Sequence, residues 1–437
     1  MSIVILTLKT ISYVITDPAM ILLIIILGIF LANKNRKTLL MQKMILGKEQ
    51  NSLLELTLSQ IVIGILLGTI GSVILTLLGA VFNFDMGLVL ILFVSLMLYF
   101  IKPRFACIAF SGGIVGLMAV VSEMLRNLYP AYFHKIPNLN IDIPSLIALI
   151  AVVHFIEGIG VILDGKRGAI PVFSKIEGKI VGGFSFNRSW VVPFAILFIL
   201  SNAGPVNVAD TIPIPSYWPI LNLTIPKETI AKAVITLIPL IGLIGYNTVT
   251  FTMNKREKTT YSGLLLIGYG AVLFLLSQIA FINIWIRLFA LLSVPAGHEA
   301  IFQYERWREL KKSPKYISTD GEYKVLEVSK DSPAEEMGLK SGDTILQIND
   351  KEVKEDKDII DLQNKNGNFI WMKIMKENGK IEEVSYNKMN SYKRLGIVFV
   401  PRLDAVDEDS VIVKLDDNDN FHDIINKFKN GNDKKQD

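Results

Sequence analysis

Nine apolar stretches ahead of residue 310 restrict the fold of this chain more than any other feature. The 437-residue chain is 51% hydrophobic, with a mean hydropathy of +0.42, although its last third is visibly polar. The apolar residues are therefore concentrated in runs, and a helix needs ~20 of them to cross a bilayer. The sequence predicts a polytopic α-helical membrane domain over residues 1–303. Its candidate spans are 12–32, 58–82, 86–101, 105–124, 144–163, 190–203, 229–249, 262–282 and 284–302.

The charges between these spans predict an orientation. Lys and Arg are concentrated in every second loop, as in the cytoplasmic loops of membrane proteins. With nine spans the N-terminus lies outside and the polar C-terminal region lies in the cytoplasm, whereas with eight that region lies outside. The last span contains Arg287 and decides between the two. Only Lys9 precedes the first span, which we expect to be a retained segment rather than a cleaved signal peptide.

Three segments follow the membrane domain. Residues 304–315 form a basic juxtamembrane linker, expected to lie against anionic lipid headgroups. Residues 316–402 form a small α/β domain, and residues 403–437 form a short acidic tail whose composition is largely that of disordered segments. Four apolar residues of the tail share one helical face, which is typical of a short helix that docks on a partner. The alternatives are that this segment folds back on the small α/β domain or that it does not fold, since isolated helices this short are marginal. The four residues are Phe421, Ile424, Ile425 and Phe428.

The small α/β domain has an ordered series of strand and turn signals over residues 325–353. Ser332 is a good N-cap, and Pro333 stands at the first helical position, where no hydrogen-bond donor is lost. Gly338 is placed to end this short helix, and residues 344–348 alternate as a strand. This order closely resembles a bacterial-type PDZ domain, although an unrelated α/β domain is the alternative. PDZ domains bind extended peptides as an added strand, so the resemblance implies a binding module.

The resemblance also implies where a peptide binds, because bacterial PDZ domains of this type carry the ligand-edge strand last. Residues 392–400 have the expected apolar-glycine-apolar pattern. Gly396 would allow close approach of a peptide backbone, and Lys393 or Arg394 would attract a terminal carboxylate. A helix at 356–364 is expected to form the opposite wall; the alternative is that 395–400 is a plain core strand. The predicted peptide-binding residues are Arg394, Leu395, Gly396, Ile397, Val398 and Ile360.

Patterns for catalysis or metal binding are not found in the sequence. An intramembrane zinc protease of the site-2 type needs H-E-x-x-H, but Phe302 stands where the second histidine after His298-Glu299 is required. The four histidines show no pair at ligand spacing, and a single cysteine, Cys107, predicts neither a disulfide nor a cysteine metal site. The net charge of +4 gives little support to nucleic-acid binding. We therefore expect no enzyme activity, metal or cofactor.

Three ionisable residues of the fifth span are candidates for an intramembrane polar contact: His154, Glu157 and Asp164. A charge at such a position costs about 2.5–3.5 kcal/mol on insertion scales. His154 and Glu157 lie three residues apart on one helix face, close to Gly158. They fit either an ion or proton site, or a mutual hydrogen bond at a glycine-lined helix contact. The second interpretation is favoured, because the chain shows no inverted repeat of broken helices.

Over residues 12–402 the chain resembles the MinJ-like polytopic membrane PDZ proteins of Gram-positive, spore-forming bacteria. The resemblance implies a scaffold that links the division inhibitor MinD to the polar protein DivIVA and is enriched at septa and poles. It is also compatible with a homo-oligomer. The alternatives are a PDZ-regulated transporter, or a sensor that presents substrates to a protease. The matching segments are 154–158, 164–165, 181–184, Trp190, Pro193, 295–299 and 395–397.

Overall fold

The computed structural model describes residues 2–83, 86–133, 139, 141–176, 179–200, 217–226, 230, 233–319, 322–349, 351–352, 369–387 and 394–402. Ten α-helices lie in these residues, and a 3-10 turn at Pro103–Ala106 precedes the fifth. The helices are α1 (Ser2–Val14), α2 (Pro18–Leu46), α3 (Leu53–Leu78), α4 (Met86–Ile101), α5 (Ile108–Leu128), α6 (Pro130–Phe133), α7 (Ile143–Asp164), α8 (Lys255–Ile279), α9 (Ile284–Lys311) and α10 (Pro333–Glu336). Six of them are long and apolar enough to cross a membrane, namely α2, α3, α5, α7, α8 and α9.

Local sequence explains where the long helices begin and end. The Asp17 side chain accepts hydrogen bonds from two backbone amides of the first turn of α2, whose first residue is Pro18. Asn254 and Glu257 form a reciprocal capping box at the start of α8. Gly47 ends α2 with a φ of 72°, a conformation that glycine adopts without steric cost.

A five-stranded sheet lies among the long helices. Its central strand, β3, pairs in parallel with β1 and antiparallel with β2, β4 and β5. The long strand β4 is paired with β3 along its whole length. The strands are β1 (Val81–Asn83), β2 (Ile170–Ile176), β3 (Lys179–Leu200), β4 (Val234–Thr250) and β5 (Tyr316–Ile317).

This sheet corrects the prediction of helical spans at 190–203 and 229–249, because residues 190–200 and 234–249 are strands. The many Val, Ile and Thr side chains of β4 give one reason, because β-branched residues favour strands. Hydropathy identified two apolar segments here, but it cannot distinguish a buried strand from a helix.

Helix α3 packs directly on the backbone of β3. A Cβ atom on Gly64 would lie 2.0 Å from the carbonyl oxygen of Val191, and one on Gly68 would lie 2.0 Å from that of Pro193. The two glycines are four residues apart and therefore share one helix face. Small residues at this spacing allow close backbone contact inside membranes. Glycine is thus required for the sheet to lie against α3.

The residues after α9 form a second sheet with the order β10-β9-β7-β6-β11, in which β8 pairs with β7. Helix α10 follows β6 and is capped by the Ser332 hydroxyl, which accepts a hydrogen bond from the Glu335 amide. The predicted helix at 356–364 with Ile360, and the tail from residue 403, lie outside the described residues. The strands are β6 (Tyr323–Val328), β7 (Thr344–Ile348), β8 (Lys351–Glu352), β9 (Ile370–Met375), β10 (Ile381–Tyr386) and β11 (Ile397–Phe399).

This second sheet docks on one end of the membrane domain. Strand β5 pairs with β3 at Val181 and Gly182, so the two sheets are joined through the linker. A Cβ atom on Gly182 would lie 2.8 Å from the Val400 side chain, which shows how closely the two parts pack. Lys255 forms an ion pair with Glu327, across the same interface.

Lys315, the last residue of the linker, contacts both the membrane domain and the second sheet. Its ammonium lies 3.2 Å from the Glu257 carboxylate at the start of α8 and 2.9 Å from Glu377 in the β9–β10 turn. Its backbone N–H donates to the Phe251 carbonyl at 2.8 Å. Partial burial alone would lower the pKa of Lys315, but the hydrogen bonds to Glu377 and Glu257 outweigh it and raise that pKa. The linker is therefore a structured contact rather than a free tether.

Candidate functional site

Strand β11 and the turn before it form the candidate peptide-binding edge. Gly396 has a φ of +79°, in the left-handed region. Its carbonyl accepts a hydrogen bond from the Ser329 amide at 2.8 Å, and that of Leu395 accepts one from Ala334 at 3.1 Å. These bonds fix the turn against the start of α10. Among the described strands β11 pairs only with β6, which leaves its other edge without a strand.

Gly396 has a structural role that the sequence did not reveal. A Cβ atom there would lie 2.3 Å from the Cβ of Ser332, the N-cap of α10. If Gly396 serves only to admit a peptide backbone, Gly396→Val is expected to abolish peptide binding while the domain stays folded. The structure argues against the second half, because valine would combine this clash with a strained positive φ.

The other predicted peptide-binding residues lie on different surfaces. Leu395 is 3% exposed and belongs to the core of the second sheet, where the half-buried Ile397 also packs. Val398 belongs instead to the core that is continuous with the membrane domain. Arg394 is exposed, and its guanidinium lies 3.0 Å from the position of a Cβ on Gly47. The turn before β11 therefore faces the end of α2.

The sequence profile of the PDZ domain matches residues 324–366, which include all of β6 except Tyr323, together with α10 and β7. The chain contains a PDZ domain. No curated protein and no solved structure matches the chain. The narrower resemblance to MinJ-like proteins thus has no support from a relative. The PDZ domain and six long apolar helices support a multi-pass membrane protein with a protein-interaction domain.

Asp164, one of the three intramembrane candidates, lies apart from His154 in a separate buried network. Its carboxylate accepts hydrogen bonds from Arg188 Nε at 3.0 Å and from Trp190 Nε1 at 2.9 Å, both on β3. Arg167 Nε lies 2.9 Å from its second oxygen. The side chains of Asp164 and Arg188 are each only 2% exposed. This network ties the end of α7 to the sheet.

His154 makes contacts that differ from the predicted bond to Glu157. Its Nδ1 lies 2.8 Å from the carbonyl oxygen of Ile150, and its Nε2 lies 3.2 Å from the Sγ of Cys107. Because a carbonyl only accepts, we assign the proton to Nδ1, which leaves the Nε2 lone pair directed at the sulfur. Both ring nitrogens are thus engaged with groups other than Glu157.

The helix contact predicted at the neighbouring glycine is present. A Cβ atom on Gly158 would lie 2.5 Å from the carbonyl oxygen of Gly263 in α8. A Cβ on Gly270 would likewise lie 2.7 Å from the carbonyl of Ala151. Helices α7 and α8 therefore meet backbone to backbone, as small residues permit.

His298 of α9 completes a cluster around His154. The two imidazole centroids are 5.4 Å apart. The ligand-capable atoms of Cys107, His154 and His298 all lie within 4.8 Å of one another. Sequence spacing suggested that no such set exists, but three separate elements bring it together.

One sequence signal could have revealed this cluster. Cys107 stands three residues after Arg104, and His298 is followed at once by Glu299. Polar residues flank both positions, which places them near the same end of their spans. The structure joins these flanks, because Arg104 and Glu299 form an ion pair at 3.1 Å. Counting how far each residue lies from the polar end of its span, instead of its spacing along the chain, would have grouped Cys107 with His298.

Proposed function

We propose that this protein is a non-enzymatic membrane scaffold that recruits protein partners by binding extended peptides at β11. The observation that carries the proposal is a PDZ domain whose strand β11 has one edge unpaired among the described strands. Such an edge supplies the main-chain hydrogen bonds that peptide addition needs. The exposed cation of Arg394 beside the turn suits a peptide with a terminal carboxylate.

The proposal places the PDZ domain in the cytoplasm. Three lysines near the ends of α2, α8 and α9 pair with acidic residues of the domain: Lys48 with Asp331, Lys255 with Glu327 and Lys315 with Glu377. Basic residues of this kind mark the cytoplasmic ends of spans. The antiparallel pair β3–β4 replaces two predicted spans and also returns to the end where it began. The odd number of spans is kept when the shorter apolar helix α4 is counted with the six long helices, which makes seven.

The resemblance to MinJ-like proteins supports a narrower form of the proposal. In that form the scaffold links MinD to DivIVA and is concentrated at septa and poles. Its support is the set of sequence segments given above, among them residues 154–158, 295–299 and 395–397.

A C-terminal fusion to a fluorescent protein that matures only in the cytoplasm tests two points together. It reports on which side of the membrane the PDZ domain lies, and where in the cell the scaffold is concentrated. It would be imaged in dividing Gram-positive rods, with and without DivIVA. We expect fluorescence at septa and poles, and we expect it to spread evenly over the membrane when DivIVA is absent. An immunoblot of the same cells controls for the amount of full-length fusion.

Other results would contradict defined parts of the proposal. A dark fusion that is present on the immunoblot would place the PDZ domain outside the cell. An evenly distributed signal in cells that contain DivIVA would exclude the MinJ-like role and favour a transporter or a protease-presenting sensor. Septal signal that persists without DivIVA would retain the scaffold and exclude DivIVA as its anchor.

A further inference from the structure

A buried cluster of one cysteine and two histidines lies in the membrane domain, apart from the peptide-binding edge. Cys107 is the N-cap of α5, His154 lies in the middle of α7, and His298 lies in α9. His154 is completely buried and the other two are half-buried. No part of the proposed peptide recognition uses these residues.

We propose that Cys107, His154 and His298 bind a transition-metal ion, and that Zn²⁺ is the ion that this set of donor atoms fits best. Zn²⁺ binds cysteine sulfur at about 2.3 Å and imidazole nitrogen at about 2.0–2.1 Å, so tetrahedral donors lie about 3.3–3.7 Å apart. The Cys107 Sγ and the His154 Nε2 are already 3.2 Å apart. The full set spans no more than 4.8 Å, which small side-chain rotations would close around one ion.

The hydrogen bond at His154 prepares its imidazole for a metal. Metal-bound histidines commonly donate their second ring N–H to a carbonyl or carboxylate, which fixes the ring and the tautomer. The Nδ1 of His154 has this partner in the Ile150 carbonyl at 2.8 Å. Its Nε2 therefore faces Cys107 as a bare donor atom. The ring of Tyr269, whose centroid is 5.0 Å from that of His154, packs against it and limits its rotation.

The buried carboxyl group of Glu157 fits the charge of such a site. Glu157 is 9% exposed and lies one helical turn from His154 on the same face of α7. A divalent cation bound by one thiolate and two neutral imidazoles has one excess positive charge, which one carboxylate cancels. An intramembrane acid that is costly alone thereby gains a counter-charge.

The donor types also restrict the class of metal. Thiolate and imidazole suit zinc and neighbouring transition metals, whereas Mg²⁺ and Ca²⁺ prefer oxygen ligands. Binding converts the Cys107 thiol to a thiolate and releases its proton. The competing interpretation is a simple hydrogen bond from the Cys107 thiol to His154. That bond needs no ion, and it predicts no metal-dependent spectrum.

A bound ion would join α5, α7 and α9. The Arg104–Glu299 ion pair lies beside it, since Glu299 follows His298 and Arg104 precedes α5. Because an ion that binds only the folded protein stabilises it, removal of the metal should lower the thermal midpoint.

The test uses the full chain, purified in detergent with a streptavidin-binding tag so that no polyhistidine competes for metal. Metal content would be measured by mass spectrometry, and Co²⁺ would replace the ion after chelation. We expect equimolar Zn²⁺, a thiolate-to-cobalt charge-transfer band, and a chelator-induced fall in thermal midpoint that Zn²⁺ reverses. Cys107→Ser should abolish the charge-transfer band, and His298→Gln should reduce metal content strongly. The control is His422→Gln, which removes a histidine of the tail and should retain all three signals.

Each outcome decides the proposal. Absence of Zn²⁺ from the wild-type chain, together with no charge-transfer band after addition of Co²⁺, would overturn it. Metal that persists equally in Cys107→Ser, His298→Gln and His422→Gln would place the ion elsewhere and would also overturn it. Glu157→Gln provides a second measurement, since it preserves shape: weaker affinity with an intact charge-transfer band supports the charge argument. Unchanged affinity in Glu157→Gln would remove Glu157 from the site.

Discussion

The carboxylate of Asp164 and the guanidinium of Arg188 form an ion pair in which each side chain is only 2% exposed. Asp164 ends α7 and Arg188 lies on β3. The guanidinium also donates to the carbonyl of Leu56 at 3.3 Å and to the hydroxyl of Ser59 at 2.8 Å, both in α3. Desolvation of such a pair is repaid only when the remaining donors find partners, and these two bonds supply partners on α3. The pair therefore joins two helices to the sheet.

Removal of this carboxylate should be strongly destabilising. Asp164→Ala leaves the Arg188 cation buried without a counter-charge, and we expect a loss of about 3–5 kcal/mol in the free energy of unfolding. The measurement is reversible denaturation of the full chain in detergent. Glu55→Ala is the matched control, because Glu55 pairs with the half-exposed Arg167 and should cost less than about 1 kcal/mol. Equal losses in the two variants would contradict a structural role for the buried pair.

The glycine contact between α3 and β3 leaves no room for even one methyl group at Gly64. Gly64→Ala should prevent correct folding, because the added Cβ would lie 2.0 Å from the Val191 carbonyl oxygen. The check is the monodisperse fraction of detergent-extracted protein on size-exclusion chromatography. Gly268→Ala in α8 is the control, since a Cβ there meets nothing within 4 Å. Gly268→Ala should remain monodisperse, with stability equal or slightly higher. Normal folding of Gly64→Ala would show that α3 and β3 are not in backbone contact.

The Lys255–Glu327 ion pair predicts that charge controls docking of the PDZ domain. Glu327→Lys places two cations in contact and should release the domain, because Glu327 is largely buried. Limited proteolysis should then cut the linker around Lys315 faster than in the wild-type chain. The double variant Lys255→Glu with Glu327→Lys restores opposite charges and should recover protection. If the single variant is as resistant as the wild type, the domain is held by its apolar contacts alone.

Peptide binding at β11 is best tested at Arg394 rather than at Gly396. Arg394→Glu changes an exposed charge and leaves the left-handed turn intact. For a carboxylate-terminated peptide selected on the full chain, we expect about a tenfold to hundredfold loss of affinity, as a charge-assisted hydrogen bond is lost. The C-terminal amide of the same peptide serves as control, and its weaker binding should not respond to the variant. An equal response of both peptides would exclude Arg394 from carboxylate recognition.

The sequence alone determined the division of this protein into an apolar membrane part and a polar PDZ domain. Solvent preference is a local property, and long apolar runs therefore identify membrane segments without knowledge of their neighbours. The PDZ signals were equally local, since the Ser332 cap and the glycine turns act within a few residues. Helix α10 and strand β7 accordingly occur where the sequence predicted them.

Only the tertiary structure decided between helix and strand at 190–200 and 234–249, because apolar character is the same for both. Spacing along the chain also failed to predict partners that are distant in sequence. Asp164 accepts a hydrogen bond from Arg188 and does not contact His154. His154 lies instead against Cys107 and His298. The physical reason is that hydrogen bonds and metal coordination depend on distances of a few ångströms, which the packing of α5, α7, α9 and β3 sets. Spacing along one helix constrains only the neighbours that the helix itself brings together.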